Sequence, residues 1–411
     1  MKAFRGRFAG PRRFAPFAHA GEKGFAWLRL SLVLVLLLAG CLLAGNLAAR
    51  GSGPEGPLGS HYLLLVAGFN PTTFTPDKIA QFDQSPYQGL AVVFLGTYET
   101  AAIPSAVEMK GRIREWQKGT KKDLWPWLFL NRMVGPDPGK DNPRGQVPYY
   151  ARIKGMDLDG SAGAQKDFLE YWQNSLQAAK DTGAPGIFID MEFYLNYAGY
   201  SPVKLAAQMG RRPSEVAGML RQLGAKMAGI AAKEHPRATL WFLFSDLFYP
   251  DFASAEGQAF YPSPAYIVMG LLDEIQARHY SLRVISGGEV ALSYCHTTLD
   301  QLKLHIRNRA RDFQPAMEKY GQALELGGTL APWLEKSKNS GWMKEGYCGK
   351  SSAETIEELQ PYLETLFLTY RYNWVYATDG GNYYPFHPRS APRFDAVIQK
   401  AIQNAYGLAS R

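Results

Sequence analysis

Eight short apolar runs along the chain, separated by longer amphipathic stretches, predict its architecture. Most of these runs are apolar at nearly every position, which is typical of parallel strands covered on both faces. The predicted strands are Tyr62–Ala67, Leu90–Leu95, Leu124–Leu130, Gly186–Met191, Thr239–Phe244, Tyr266–Met269, Thr329–Trp333 and Asn373–Tyr376. Glu289–Cys295 is a candidate for an additional strand within a long insertion.

Apolar residues spaced three and four apart predict helices between several of the strands. The predicted helices are Asp167–Ala179, Pro213–Glu234, Thr298–Ala323 and Ala353–Leu368. We expect Gly183 to stop the first of these helices, because glycine readily takes the left-handed conformation found after helix ends. Eight strands joined by crossover helices predict an α/β fold, a (β/α)8 TIM barrel with insertions.

Residues 1–49 have the pattern of a targeting segment that precedes the barrel. Basic residues lead into an apolar run over residues 30–45, which is shorter than the roughly 20 residues that a spanning helix needs. Residues 50–60, rich in Gly, Pro and Ser, predict a linker. Residues 61–411 show no second linker and no repeat, so they are expected to form one domain.

Within the apolar run, Leu38-Ala39-Gly40-Cys41 resembles the lipobox of bacterial lipoproteins. The resemblance implies cleavage before Cys41 and lipidation of that residue, while the alternative is an uncleaved signal anchor. Both interpretations predict an exported protein of the bacterial cell envelope, held at the membrane and facing the periplasm or the cell exterior. An oxidising compartment would allow Cys295 and Cys348 to form a disulfide, although two unrelated buried thiols are the alternative.

The charge distribution argues against a nucleic-acid partner. The formal net charge is +8, of which +6 lies in residues 1–30, so that only +2 remains for the rest of the chain. The basic excess therefore belongs mostly to the targeting segment. The seven histidines are scattered without metal-ligand spacing, and no nucleophile-elbow, P-loop or dinucleotide-binding motif occurs. The sequence thus predicts no metal and no cofactor.

Polar residues follow most of the predicted strands, at the end of the barrel where active sites of this fold lie. Carboxylates at five successive strand ends, the fourth to the eighth, suggest a common pocket. The candidate polar residues are Asn131 and Arg132 after the third strand, Asp190 and Glu192 at the fourth, Asp246 after the fifth, Asp273 after the sixth, Glu335 after the seventh and Asp379 after the eighth. Candidate aromatic residues that could stack on a sugar are Trp127, Tyr194, Trp333, Trp374 and Tyr376.

The fourth strand carries the most informative residues. Side chains alternate along a strand, so Ile187, Ile189 and Met191 are predicted to share one face, opposite Asp190 and Glu192. Two carboxylates on one face at the end of a buried strand are unfavourable unless a site uses them. Acid–base cleavage of glycosidic bonds uses such pairs.

This strand resembles that of the family 18 glycoside hydrolases, the chitinase-like barrels, whose motif is D-G-x-D-x-D-x-E. The last Asp and the Glu match Asp190 and Glu192, whereas Pro185 and Phe188 replace the first two acids. The resemblance implies that Glu192 is the general acid and Asp190 its partner. At the predicted sixth strand the family has Met-x-Tyr-Asp, and this chain has Leu271 at the Tyr position.

The sequence leaves several interpretations open. In an exported, membrane-tethered glycoside hydrolase acting on a poly- or oligosaccharide, Glu335 or Asp379 could supply the second carboxylate. The pairing of Glu192 with Glu335 resembles that in many retaining barrel glycosidases, which have the acid on the fourth strand and the nucleophile on the seventh. The alternative is a non-catalytic carbohydrate-binding barrel. A third interpretation is a purely structural ion-pair network with Arg132.

Overall fold

The structure, a computed structural model, confirms the (β/α)8 barrel. It describes residues 61–67, 74–94, 103–129, 158, 164–191, 201–243, 245, 252–253, 257–289, 292, 298–330, 356–377 and 391–407. Ten strands lie within these residues: β1 Tyr62–Ala67, β2 Gly89–Val93, β3 Asp123–Phe129, β4 Gly186–Asp190, β5 Thr239–Phe242, β6 Phe252–Ala253, β7 Ala259–Phe260, β8 Arg283–Ser286, β9 Leu324–Leu330 and β10 Tyr372–Ala377.

Eight of these strands close into one parallel barrel in the order β1-β2-β3-β4-β5-β8-β9-β10. The short strands β6 and β7 pair antiparallel to each other within the connection that follows β5. The helices of the described residues are α1 Pro76–Gln84, α2 Ala106–Trp116, α3 Ala164–Thr182, α4 Pro202–Met209, α5 Pro213–Glu234, α6 Ser263–Arg278, α7 Leu299–Tyr320, α8 Gln360–Thr369 and α9 Ala391–Tyr406. Each barrel strand is therefore followed by at least one helix.

Local signals in the sequence account for several helix ends. Gly183 follows α3 with φ +81°, which confirms it as the residue that stops this helix. Helix α2 begins with a capping box, in which the Ser105 hydroxyl accepts from the Glu108 N–H and the Glu108 carboxylate accepts from the Ser105 N–H. Helix α5 has the bounds predicted for it, Pro213–Glu234.

The predicted strand Tyr266–Met269 is wrong, because these residues lie inside helix α6. Every residue from Ser263 to Leu272 is buried, so the amphipathic pattern that usually marks a helix is missing. A short run that is apolar on all sides cannot be assigned to strand or helix by periodicity alone. The sixth barrel strand is instead β8, and the predicted seventh strand overlaps β9 by two residues, Thr329 and Leu330.

The additional strand predicted at Glu289–Cys295 is also wrong at its described residues. The Leu292 N–H donates to the Gly288 carbonyl at 3.0 Å, which closes a helical turn directly after β8. The first residues of this run therefore belong to the carboxyl end of the sixth barrel strand and to the turn that follows it.

The first ten residues of helix α6 are buried on all sides, partly because this helix lies very close to α5. A Cβ atom added to Gly224 of α5 would stand 1.9 Å from the Ile267 carbonyl oxygen, and one added to Gly270 of α6 would stand 2.0 Å from the Arg221 carbonyl oxygen. The two glycines thus let the two backbones touch, and each Cα–H points at a carbonyl of the other helix.

The barrel interior is filled mainly by aromatic side chains. Phe188 of β4 lies at its centre, with its ring centroid 5.8 Å from those of Trp127 and Trp374 and 6.2 Å from that of Trp241. Ring pairs at such distances and steep interplanar angles are favourable edge-to-face contacts. The interior is therefore a packed core that forms a floor beneath the strand ends.

Candidate active site

Asp190 is the last residue of β4 and lies at the carboxyl end of the barrel. It is 2% exposed, and its backbone pairs in register with Phe129, the last residue of β3. The predicted alternation along this strand is confirmed for its described residues. Ile187, Ile189 and Met191 pack in the layer between the barrel and the helices, whereas Phe188 belongs to the barrel interior. Asp190 is thus a buried carboxylate at the end of the strand that carries Phe188.

Phe188 occupies the position of an acid in the motif that this strand resembles. Its contacts with Trp127, Trp241 and Trp374 surround it with apolar rings. A carboxylate in this position would lose its hydration without a charged partner, which is strongly unfavourable. The core of the barrel therefore excludes an acidic side chain at position 188, where the family motif has an Asp. Any acid–base chemistry must be carried by residues at or above the strand ends.

Two of the predicted sugar-stacking residues lie in the interior core. Trp127 is 2% exposed and Trp374 is 0% exposed. The Trp374 Nε1–H donates to the Gly287 carbonyl oxygen at 3.1 Å, which connects the eighth barrel strand to the end of the sixth. Their burial identifies both rings as parts of the floor, and a stacking role for them stays a prediction.

Asp273 lies in helix α6 and not at the end of a strand. Its Oδ1 atom accepts from Lys319 Nζ at 2.6 Å and from the Tyr320 hydroxyl at 3.0 Å, both in the last turn of α7. Because α7 leads into the beginning of β9, this cluster lies at the amino end of the barrel. The placement of Asp273 beside the other carboxylates is therefore wrong. The alignment of Tyr266–Met269 and Leu271 with the sixth strand of the family also has no strand to support it.

Glu289, and not Asp273, is the carboxylate that follows the sixth barrel strand. The sequence analysis did not single it out as a candidate site residue. It follows β8 after Gly287 and Gly288, and it is 3% exposed. Its N–H donates to the Leu243 carbonyl at 3.2 Å, next to the end of β5. The signal that could have found it is Gly-Gly-Glu directly after the apolar run of β8, where Gly288 takes a φ of +77°.

A buried arginine connects the end of β8 to the middle of β9. Arg309 of α7 is 1% exposed and donates to the carbonyl oxygens of Ser286, at 2.7 Å, and Gly327, at 2.6 Å. It also donates to the Ser286 hydroxyl, which lies 2.6 Å from the Ser245 hydroxyl. These charge-assisted hydrogen bonds hold the end of β8 against the middle of β9.

The amino end of the barrel carries a second set of buried titratable groups. The Tyr62 hydroxyl donates to Asp123 at 2.7 Å and accepts from Trp125 Nε1–H at 2.8 Å. Burial raises the pKa of Asp123, and burial likewise raises the pKa of Glu325 against the opposing effect of Arg283. Perturbed carboxylates thus occur at the end of the barrel that normally contributes stability rather than chemistry.

Most of the other predicted site residues lie outside the described part of the chain. These are Asn131, Arg132, Glu192, Tyr194, Asp246, Trp333, Glu335 and Asp379, together with Cys41, Cys295 and Cys348. Tyr376 belongs to β10 by its backbone, and its side chain is not among the described groups. The roles assigned to these residues therefore stay predictions.

The described residues contain neither a metal-binding cluster nor a helix that could span a membrane. No group of three or more His, Cys, Asp or Glu side chains in this part of the chain could hold a metal ion. Among the same residues, no helix combines the length and the apolar character that crossing a bilayer requires. The predicted targeting segment, residues 1–49, lies outside the residues searched.

Comparison with known proteins identifies no family for this chain. No family model and no curated protein matches the sequence. Similar solved structures include a GH18 chitinase from Pseudoalteromonas aurantia, with 11% identity, a TM-score of 0.39, and coverage of 82% of this chain and 99% of that one. A sugar phosphate isomerase/epimerase from Parabacteroides distasonis has 10% identity and a TM-score of 0.38, with 85% and 95% coverage.

A third similar structure is an endo-β-mannanase/endo-β-glucanase from Prevotella bryantii. It has 10% identity, a TM-score of 0.47, and coverage of 85% of this chain and 50% of that one. With identities of 10–11% and TM-scores below 0.5, these structures assign this chain neither a family nor an activity. Function must therefore be argued from the residues of the site.

Proposed function

We propose that the protein is a glycoside hydrolase that cleaves a poly- or oligosaccharide by carboxylate acid–base catalysis. The observation that carries the proposal is Asp190, a 2% exposed carboxylate at the carboxyl end of the fourth barrel strand. Glu192 follows two residues later in the sequence and is assigned as the proton donor to the leaving oxygen. A buried carboxylate at the carboxyl end of a barrel strand is a candidate for a functional group, because active sites of this fold lie there.

The remaining predicted residues receive supporting roles in this proposal. Glu335 and Asp379 are candidates for the second carboxylate, and Asn131, Arg132 and Asp246 for hydrogen bonds to sugar hydroxyls. Tyr194, Trp333 and Tyr376 are candidates for stacking on sugar rings, with Trp127 and Trp374 in the floor beneath them. No metal and no cofactor is required by carboxylate catalysis of this kind.

A non-catalytic carbohydrate-binding barrel is the second candidate function. The aromatic environment of Phe188 favours it, because an inherited relay of acids has no place in this interior. The two candidates differ in product release. We expect the purified protein, incubated with a panel of poly- and oligosaccharides, to release reducing sugars from at least one of them.

The panel is scored for release and for binding in parallel, by mass spectrometry of products and by the thermal shift of the protein. Release from any member supports the hydrolase. Binding without release on every member that binds supports the carbohydrate-binding barrel and removes the hydrolase. The Glu192→Gln variant, purified in the same way, serves as the blank for contaminating glycosidases.

We further propose that the protein is exported and tethered to the bacterial cell envelope through Cys41. Lipidation of this cysteine predicts a membrane fraction whose mature chain begins at Cys41 and carries the mass of its lipid. Intact-mass measurement of protein extracted from membranes tests this. A mass that includes residues 1–40 would instead identify an uncleaved signal anchor, and full-length protein in the soluble fraction would remove both forms of tethering.

A further inference from the structure

The end of the sixth barrel strand places a carboxylate at the level of Asp190. The Leu243 N–H donates to the Ile189 carbonyl at 2.8 Å, and the Glu289 N–H donates to the Leu243 carbonyl at 3.2 Å. These two bonds continue one row of backbone hydrogen bonds across three adjacent strand ends. Since neighbouring strands lie about 4.8 Å apart, the backbones of Asp190 and Glu289 are separated by about 10 Å.

The local backbone at Glu289 has the features of a bulge that redirects a side chain. Gly287 donates to the Phe242 carbonyl, and Glu289 donates to the next carbonyl along, that of Leu243, so two residues of one strand face one of the other. Gly288, between them, has a φ of +77°. A Cβ atom at Gly288 would stand 2.6 Å from Arg309 Cζ, so the buried guanidinium allows only glycine there.

The surroundings of this bulge belong to the barrel interior. Leu243 is part of the interior core, and the Gly287 carbonyl accepts from Trp374 Nε1–H. Glu289 therefore lies at the rim of the aromatic floor, two strands from Asp190, on backbone that Arg309 braces from the helix side. A carboxylate that is 3% exposed, next to a glycine bulge at the carboxyl end of a barrel strand, is a candidate for a functional group.

We infer that Glu289 is a second carboxylate of the active site and acts as the general base of an inverting reaction, an inference that rests on the proposed hydrolase function. Glu289 takes a proton from a water molecule whose oxygen attacks the anomeric carbon, while the bond from that carbon to the leaving oxygen breaks. Glu192 gives its proton to the leaving oxygen, and both carboxyl groups return to their starting states by exchange with solvent. Inverting enzymes hold their two carboxyl groups about 6.5–9.5 Å apart. The separation of about 10 Å joins the backbones of Glu289 and Asp190, and Glu192 is the second residue after Asp190 in the sequence.

The test compares Glu289→Gln with Glu325→Gln as a matched control. Glu289 is buried and follows the end of β8, whereas Glu325 is half-buried at the amino end of the neighbouring strand β9, away from the site. On the glycan that the panel identifies, we expect Glu289→Gln to lower kcat about 10²–10⁴-fold with KM changed less than about threefold. We expect Glu325→Gln to stay within about twofold of the wild-type kcat, because only groups at the reacting bond contribute to proton transfer.

The stereochemistry of the product gives a readout that a structural role would not change. Proton NMR of the first product formed by the wild-type protein is expected to show the inverted anomer. Retained configuration, or a Glu289→Gln variant that folds and turns over like wild type, overturns the base role and leaves the hydrolase proposal intact. Absence of release by the wild-type protein removes the proposed function and the base role with it.

Discussion

Replacing Glu192 with glutamine is expected to abolish turnover while leaving the barrel folded and ligand binding largely intact. The amide has nearly the shape of the carboxyl group but cannot donate a proton to the leaving oxygen. General acid catalysis contributes about 10²–10⁴-fold to rate, so kcat on an unactivated glycoside should fall by at least the lower of these factors. The measurement is kcat and KM of Glu192→Gln beside the wild type, with binding followed by thermal shift.

Leaving-group chemistry separates the loss of an acid from general damage to the site. An aryl glycoside with an acidic phenol needs little protonation, so the Glu192→Gln variant should recover most of its rate on that substrate. Asp190→Asn is the neighbouring control. Removing its charge makes it easier for the acid to ionise, so the basic limb of the pH–rate profile should move to lower pH. Equal losses on activated and unactivated substrates, or full activity of Glu192→Gln, would remove Glu192 from this role.

The fold could be predicted because seven of the eight barrel strands are apolar runs that overlap the predictions. β1 has the predicted bounds, and five others lie within a few residues of them. The sixth strand could not be found in this way. β8 is only four residues long and begins with Arg283, whereas the buried first ten residues of helix α6 present a longer apolar run just before it.

The error at the sixth strand had a direct consequence for the candidate site. If Tyr266–Met269 is a strand, the carboxylate nearest its end is Asp273. In the structure, Asp273 instead binds Lys319 at the amino end of the barrel. Glu289 lies after a pair of glycines whose meaning depends on Arg309, twenty residues further on. A contact between residues on different elements leaves no periodic signal, so the bulge could be identified only from the structure.

Aromatic residues at the strand ends show the same limit for binding sites. The sequence places Trp127 and Trp374 on predicted strands as candidates for sugar stacking, but it does not say how deep each ring lies. The structure buries both tryptophan rings against Phe188. The Phe188 ring, which interrupts the acidic motif, therefore also completes the floor. The apolar replacement at position 188 and the tryptophans on neighbouring strands are therefore one packing unit.

The largest expected effect on stability comes from the contact between α5 and α6. Replacing Gly224 with alanine places a methyl group where the Ile267 carbonyl oxygen now stands, 1.9 Å from the ideal Cβ position. Backbone atoms cannot turn aside as a flexible side chain can, so the helices must separate. We expect a loss of about 3 kcal/mol in the free energy of unfolding, at the upper end of overpacking effects. At about 2–4 °C per kcal/mol, Tm should fall by roughly 6–12 °C.

Gly218 and Gly229 provide matched controls on the same helix, since neither has an atom within 4 Å of an added Cβ. Alanine is favoured over glycine inside a helix by roughly 0.5–1 kcal/mol, so these two variants should be as stable as the wild type or more so. Thermal melts of the three variants measure the difference. A Gly224→Ala protein as stable as Gly218→Ala would mean that the two helices do not touch at this point.

The reciprocal contact makes the double variant informative as well. Gly270→Ala meets the Arg221 carbonyl as Gly224→Ala meets that of Ile267, so either alanine forces the same separation of α5 and α6. Once the first has moved the helices apart, the second should destabilise by less than it does alone, with a coupling of at least about 0.5 kcal/mol. Additive losses would instead mean that each clash is relieved locally. Coupling would also help to explain why the first ten residues of α6 are buried on all sides. Two helices held this close leave no room for solvent between their backbones.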